Sequence, residues 1–241
     1  MIKLYADGAA MDGIIAAAKD DTISGFTTNP TLMRQAGVTD YAQFAKDAIS
    51  YLAKTRPETC LSLEVFADEP SEMIRQARLI DSWGENNNYS VYVKIPVMHI
   101  DGTPTTSIIN QLSHEGIKLN VTAVFTGEQF VEVLEALSPK TQAIVSIFVG
   151  RIHDVAGTMH YITTAMQLAK KNNTHPNIQF LWASSRQAYS YVEADKLGFD
   201  IITMTPDLIK KTKSFGKDLW EFSRETCQMF YDDAVKSGFQ L

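Results

Sequence analysis

Cysteine is nearly absent from this chain: only Cys60 and Cys227 occur in 241 residues, with no CxxC pair. That excludes a disulfide framework and a thiolate zinc site, and it points to a reducing cytoplasm. No apolar run approaches the ~20 residues of a membrane-spanning helix, so no membrane partner is expected. The chain opens on Ile2-Lys3-Leu4-Tyr5-Ala6-Asp7. This is a strand pattern, without the basic stretch and apolar core of a secretory leader. Basic blocks are scarce as well. Lys210-Lys211-Thr212-Lys213 is the densest, and 22 basic residues face 28 acidic ones for a net charge of −6. Nucleic acid is therefore not an expected partner, and an anionic ligand would need local cations working against the overall field. The five histidines include no HxH or HExxH spacing, and no GxGxxG follows the first strand pattern. Neither a metal nor any other cofactor is expected.

What the chain does have is alternation. Strand-like runs at 2–7, 25–29, 61–66, 91–97, 119–125, 143–150, 178–184 and 201–205 are separated by helical periodicity at 11–19, 39–54, 70–85, 105–115, 127–137, 158–171, 186–197 and 206–213. Asn29 before Pro30 and Thr205 before Pro206 read as N-caps with proline at the first helical position. Gly116 and Gly198 fall where left-handed caps end helices. No linker or low-complexity tract divides the sequence. Eight uninterrupted strand–helix units predict a (β/α)8 barrel, with a doubly wound open sheet as the alternative. The expectation is one barrel domain over 1–241, with 214–241 as a helical appendage centred on 217–237.

Barrel enzymes hold their chemistry at the C-terminal ends of the strands. Around those ends lie Asp7, Asn29, Glu64, Lys94, Thr122, Ser146, Arg151, Ser184 and Arg186. Lys94 is the most unusual of them, because Val91-Tyr92-Val93-Lys94-Ile95-Pro96 sets it inside an apolar strand. Buried lysines are rare unless paired or used. Desolvation by apolar neighbours disfavours the ammonium and yields a neutral amine able to attack a carbonyl. An edge-strand lysine reaching back to water is the plain alternative.

Several segments, in order, resemble the signatures of the transaldolase family: Gly25-Phe26-Thr27-Thr28-Asn29-Pro30-Thr31-Leu32-Met33, Val93-Lys94-Ile95-Pro96, Leu119-Asn120-Val121-Thr122-Ala123-Val124-Phe125, Ser146-Ile147-Phe148-Val149-Gly150-Arg151-Ile152 and Ala183-Ser184-Ser185-Arg186. The length is similar to that of its short subfamilies, which include the fructose-6-phosphate aldolases. The resemblance implies a class I aldolase barrel in which Lys94 forms a Schiff base with a ketose phosphate. It implies Asp7 as general acid/base, and Glu64 with Thr122 as holders of a catalytic water. Asn29, Thr28, Ser146 and Phe148 would meet the three-carbon fragment, and Arg151, Ser184 and Arg186 the phosphate. A helix beginning near Arg186 would add free N–H groups.

Glu64 and Phe148 match the transaldolase pattern, where fructose-6-phosphate aldolases typically carry glutamine and tyrosine. Transfer of a dihydroxyacetone unit to an aldose phosphate, as in the pentose phosphate pathway, is thus the leading expectation. Release of free dihydroxyacetone, or a non-catalytic sugar-phosphate-binding barrel, are the alternatives. Gly8, Phe26, Met98 and Ile147 depart from the family's usual residues, and 99–104 reads as an enlarged fourth loop. In the short subfamilies the last helix reaches a neighbouring subunit, so the resemblance implies a homo-oligomer of a cytoplasmic protein.

Overall fold

In a computed structural model of the protein, residues 2–157 and 160–240 are described. The predicted barrel is present: eight parallel strands close in sequence order, with the last pairing to the first. They are β1 (Lys3–Asp7), β2 (Ile23–Thr27), β3 (Cys60–Glu64), β4 (Ser90–Pro96), β5 (Leu119–Val124), β6 (Ala143–Ile147), β7 (Ile178–Trp182) and β8 (Ile201–Met204). Around them lie α1 (Met11–Ala17), α2 (Pro30–Gln35), α3 (Tyr41–Thr55), α4 (Pro70–Glu85), α5 (Thr106–His114), α6 (Gly127–Ala136), α7 (Val149–Val155), α8 (His160–Lys171), α9 (Ser190–Leu197) and α10 (Pro206–Thr212). The expected terminal helix follows as α11 (Leu219–Ser237).

Alternation along each strand builds two separate cores, because successive side chains point to opposite faces. In β4, Val91, Val93 and Ile95 join the large cluster between strands and helices, while Tyr92 faces into the barrel. In α3, Phe44, Ala45, Ala48, Ile49 and Leu52 are buried at the i, i+1, i+4, i+5 spacing of an amphipathic helix. The inner cluster is small: Tyr5, Cys60, Tyr92, Ile144, Leu181, Ala183 and Ile201. Gly25 makes it possible, since a Cβ there would sit 2.6 Å from the Tyr5 ring.

Several boundaries differ from the sequence reading. The strand expected over 143–150 stops at Ile147, because Phe148 turns (φ −83°, ψ 57°) into α7. The helix expected from Arg186 starts a turn later, at Ser190. Asn29 caps α2 as expected, accepting from the Leu32 N–H at 3.0 Å, whereas Thr205 precedes α10 without a side-chain cap bond. The first two residues of the helix expected at 158–171 lie outside the described residues. Among the described residues no helix is long and apolar enough to cross a membrane.

Candidate active site

Lys94 and Glu64 are register partners on β4 and β3, so both side chains enter the barrel at one level. Lys94 Nζ lies 2.8 Å from Glu64 Oε2 and donates to the Thr28 carbonyl at 2.7 Å. The two side chains are 7% and 15% exposed, which shields the pair from bulk water. Besides the apolar strand neighbours evident in the sequence, a carboxylate and a carbonyl hold its head group, and Glu64, expected to hold a water near the lysine, meets it directly. Two contacts fix the frame: Tyr41 donates to the Glu64 carbonyl (2.7 Å), and the Thr28 hydroxyl to the Ser62 carbonyl (3.0 Å).

Asp7 ends β1. Its Oδ1 accepts from the Thr27 hydroxyl at 2.8 Å, and that hydroxyl also meets Thr203 at 2.5 Å. Burial raises the Asp7 carboxyl above its ordinary value, Lys94 and the Thr27 bond oppose this, and Glu64 adds to it. A carboxyl poised in this way exchanges protons more readily near neutral pH than an ordinary one does.

Thr122 stands at a fault in β5. Register slips between Val121 and Val124, and Ala123 is left-handed at φ 60°. Thr122 Oγ1 is buried with no partner among the described residues. A buried hydroxyl without a partner costs free energy, and a bound water removes that cost. Two residues earlier, the Asn120 amide bridges Ser62 (3.1 Å) and Ser146 (2.7 Å). The Ser146 proton is thereby committed, and its oxygen remains free to accept. Asn29 divides its amide similarly: Oδ1 caps α2, and its NH2 has no bond among the described residues.

At the β6 and β7 ends, Arg151 lies 5.3 Å from the Phe148 ring, and Arg186 pairs with Asp154 at 2.8 Å. Ser184 is left-handed at φ 60°. Gly150 packs so closely that a Cβ would lie 1.7 Å from the Ser184 oxygen. No helix starts at Arg186, so the expected N–H groups are not offered there.

A cavity of about 220 Å³ joins these groups, and all the expected site residues line it except Glu64 and Thr28, which stand behind Lys94. Thr27, Asn120, Thr203 and Thr205 also line it and are missing from the sequence reading of the site. Asn120 sits inside a quoted signature, so its signal was available. Thr27 and Thr203 are threonines in strands, which carry none. The 98–104 segment folds into a small hairpin closed by a Met98–Pro104 bridge, with His99 Nδ1 2.7 Å from the Asp68 carbonyl. It does not line the cavity. A larger cavity of about 640 Å³ opens at the other end, by Tyr5, Cys60 and Tyr92. Chemistry in barrels of this type belongs to the C-terminal face, so the smaller cavity is the candidate site.

Residues 4–241 match the model of the transaldolase/fructose-6-phosphate aldolase family. A probable transaldolase of Dehalococcoides mccartyi is 33% identical over 204 residues, covering 84% of this chain and 86% of that one. A probable transaldolase of Nitrosopumilus maritimus is 31% identical over 211 residues, covering 87% and 86%. Among solved structures, N-acetylneuraminate lyase from Mycoplasma synoviae superposes with a TM-score of 0.53 at 12% identity, over 96% of this chain and 80% of that one. KGPDC from Streptococcus mutans gives 0.51 at 11%, over 85% and 88%. These two similarities concern the fold alone. The chain belongs to the transaldolase/fructose-6-phosphate aldolase family.

Proposed function

We propose that the protein is a transaldolase, moving a dihydroxyacetone unit from a ketose phosphate such as fructose 6-phosphate or sedoheptulose 7-phosphate to an aldose phosphate. The observation that carries this reading is the buried Lys94 amine, held by Glu64 and opening onto the same cavity as Asp7. Glu64, 2.8 Å away, takes the proton the ammonium must lose. The free amine adds to the ketose carbonyl and expels water to form an iminium. Asp7 removes the proton of the hydroxyl on the carbon beyond the bond to be cleaved. That carbon leaves as the aldehyde, and the bonding electron pair moves into the iminium as an enamine. The enamine carbon then attacks an acceptor aldehyde, Asp7 returns the proton, and water hydrolyses the new iminium. A water held by Thr122 beside the directly paired Lys94 and Glu64 moves protons in the first and last steps. Asn29, Ser146 and Phe148 orient the three-carbon unit, while Arg151, Ser184 and Arg186 receive the phosphate. Thr28, buried behind Lys94 and outside the cavity lining, acts instead through its carbonyl, which holds Lys94 Nζ at 2.7 Å.

Glu64 and Phe148 favour transfer over release. A second copy of the chain is the proposed cover for α11, which has no buried residue and exposes Leu219, Trp220, Phe230 and Tyr231. The two free thiols support a cytoplasmic location.

Borohydride reduction with fructose 6-phosphate, followed by peptide mapping, is expected to give a three-carbon adduct on Lys94 alone. An adduct elsewhere, or none, overturns the mechanism. Turnover should depend on erythrose 4-phosphate, and equal cleavage without it makes the protein an aldolase.

A further inference from the structure

The two phosphate-site arginines are tethered differently. Arg151 rests on the Phe148 ring and, among the described residues, has no ion pair. Arg186 directs both Nε (3.1 Å) and Nη2 (2.8 Å) at one oxygen, Oδ2 of Asp154. The Nη1 corner of its guanidinium has no partner among the described residues, and the Arg186 side chain lines the cavity. Asp154 stands three residues after Arg151 on α7, so one short helix carries one arginine and the anchor of the other. The Arg186 stem lies against Gly150, where a Cβ would meet its Cγ at 3.1 Å.

We propose that Asp154 is a positioning residue for phosphate recognition: it holds the Arg186 fork in place before substrate arrives. Both side chains are about half exposed (50% and 52%), and an exposed pair contributes little to stability. Structural support is therefore a poor account of it. Arginine carries considerable rotamer freedom, and a phosphate must otherwise immobilise that side chain itself. With Nε and Nη2 occupied by the carboxylate, the Nη1 edge remains for phosphate oxygens, and binding does not require the pair to break. The effect falls on the phosphate and not on the Schiff base. This inference rests on the transaldolase reading above.

The test compares two ligands of the same lysine. Fructose 6-phosphate carries the phosphate, whereas free dihydroxyacetone forms the Schiff base without one. Asp154→Ala is expected to raise KM for fructose 6-phosphate about tenfold, the scale of one well-placed charge-assisted hydrogen bond, with kcat little changed. The dihydroxyacetone concentration giving half-maximal borohydride trapping should not rise with it, and Asp154→Glu should recover most of the KM. A KM that stays the same or falls overturns the proposal, as does a parallel loss for both ligands. Wild-type protein that traps neither ligand overturns the transaldolase reading and this inference with it. Wild-type protein that traps both, beside an indifferent variant, overturns the inference alone.

Discussion

The two ends of the barrel interior are built from the same strands and behave as opposites. At the N-terminal end Tyr5, Cys60, Tyr92, Ile144 and Ile201 form an apolar plug. Burial there pushes the Cys60 thiol up to about 11 and Tyr5 higher still, so both stay neutral. At the C-terminal end of the same strands, Asp7, Glu64 and Lys94 gather charge. The lower layer excludes charge and the upper layer holds opposite charges together. A single inward-facing step, from Tyr5 to Asp7 on β1 or from Tyr92 to Lys94 on β4, therefore separates the part that stabilises the barrel from the part with the chemical groups.

Three expectations probe this division. The largest effect is expected from Asp7→Asn, which preserves shape and can still accept from Thr27 but cannot take a proton. Its kcat should fall by about 10²- to 10⁴-fold, the usual worth of a general acid/base, in steady-state transfer assays. Next comes Tyr5→Ala at the opposite end, which removes the ring that fills the space over Gly25. It should cost about 3–5 kcal/mol in denaturant unfolding, with kcat per folded molecule nearly unchanged. If kcat falls as far as with Asp7→Asn, the two layers are not independent.

The smallest effect concerns stability in the upper layer. Because the Asp7 carboxyl is raised in the folded protein, the folded state binds that proton more tightly than the unfolded one. Stability from this group therefore declines as pH rises from the ordinary value near 4 through the folded value. Asp7→Asn lacks that penalty. It should melt higher than wild type at neutral pH, because the asparagine has no proton to lose. The advantage should vanish as pH falls to about 4, and calorimetry across pH checks it. A lower melting temperature at neutral pH would mean that the attraction to Lys94 outweighs burial.

The barrel was legible because period-two strands and helical periodicity alternate without interruption, and the polar strand ends could be found by residue type. What escaped depends on long-range pairing or very short elements. Thr27 and Thr203 meet across 176 positions, and neither looks unusual within its own strand. The apolar run through Phe148 and Val149 reads as continuous strand, and only the turn at Phe148 starts a seven-residue helix. The cap signal at Asn29 does mark α2, but its six residues are too few to show a period. The Arg186–Asp154 pair spans 32 positions between two exposed residues, a combination without sequence pattern.

Gly150 has a consequence of its own. With only hydrogen on its α-carbon, it lets main chain rest on main chain where β6 gives way to α7 beside Ser184. The interval between the Arg151 side and the Arg186 side is thus set by peptide groups, whose dimensions hardly vary. Side chains around the rim can change without altering that interval. At this point of the rim, then, the spacing of the two arginine-bearing segments is a property of the main chain, and Gly150 is the residue that permits it.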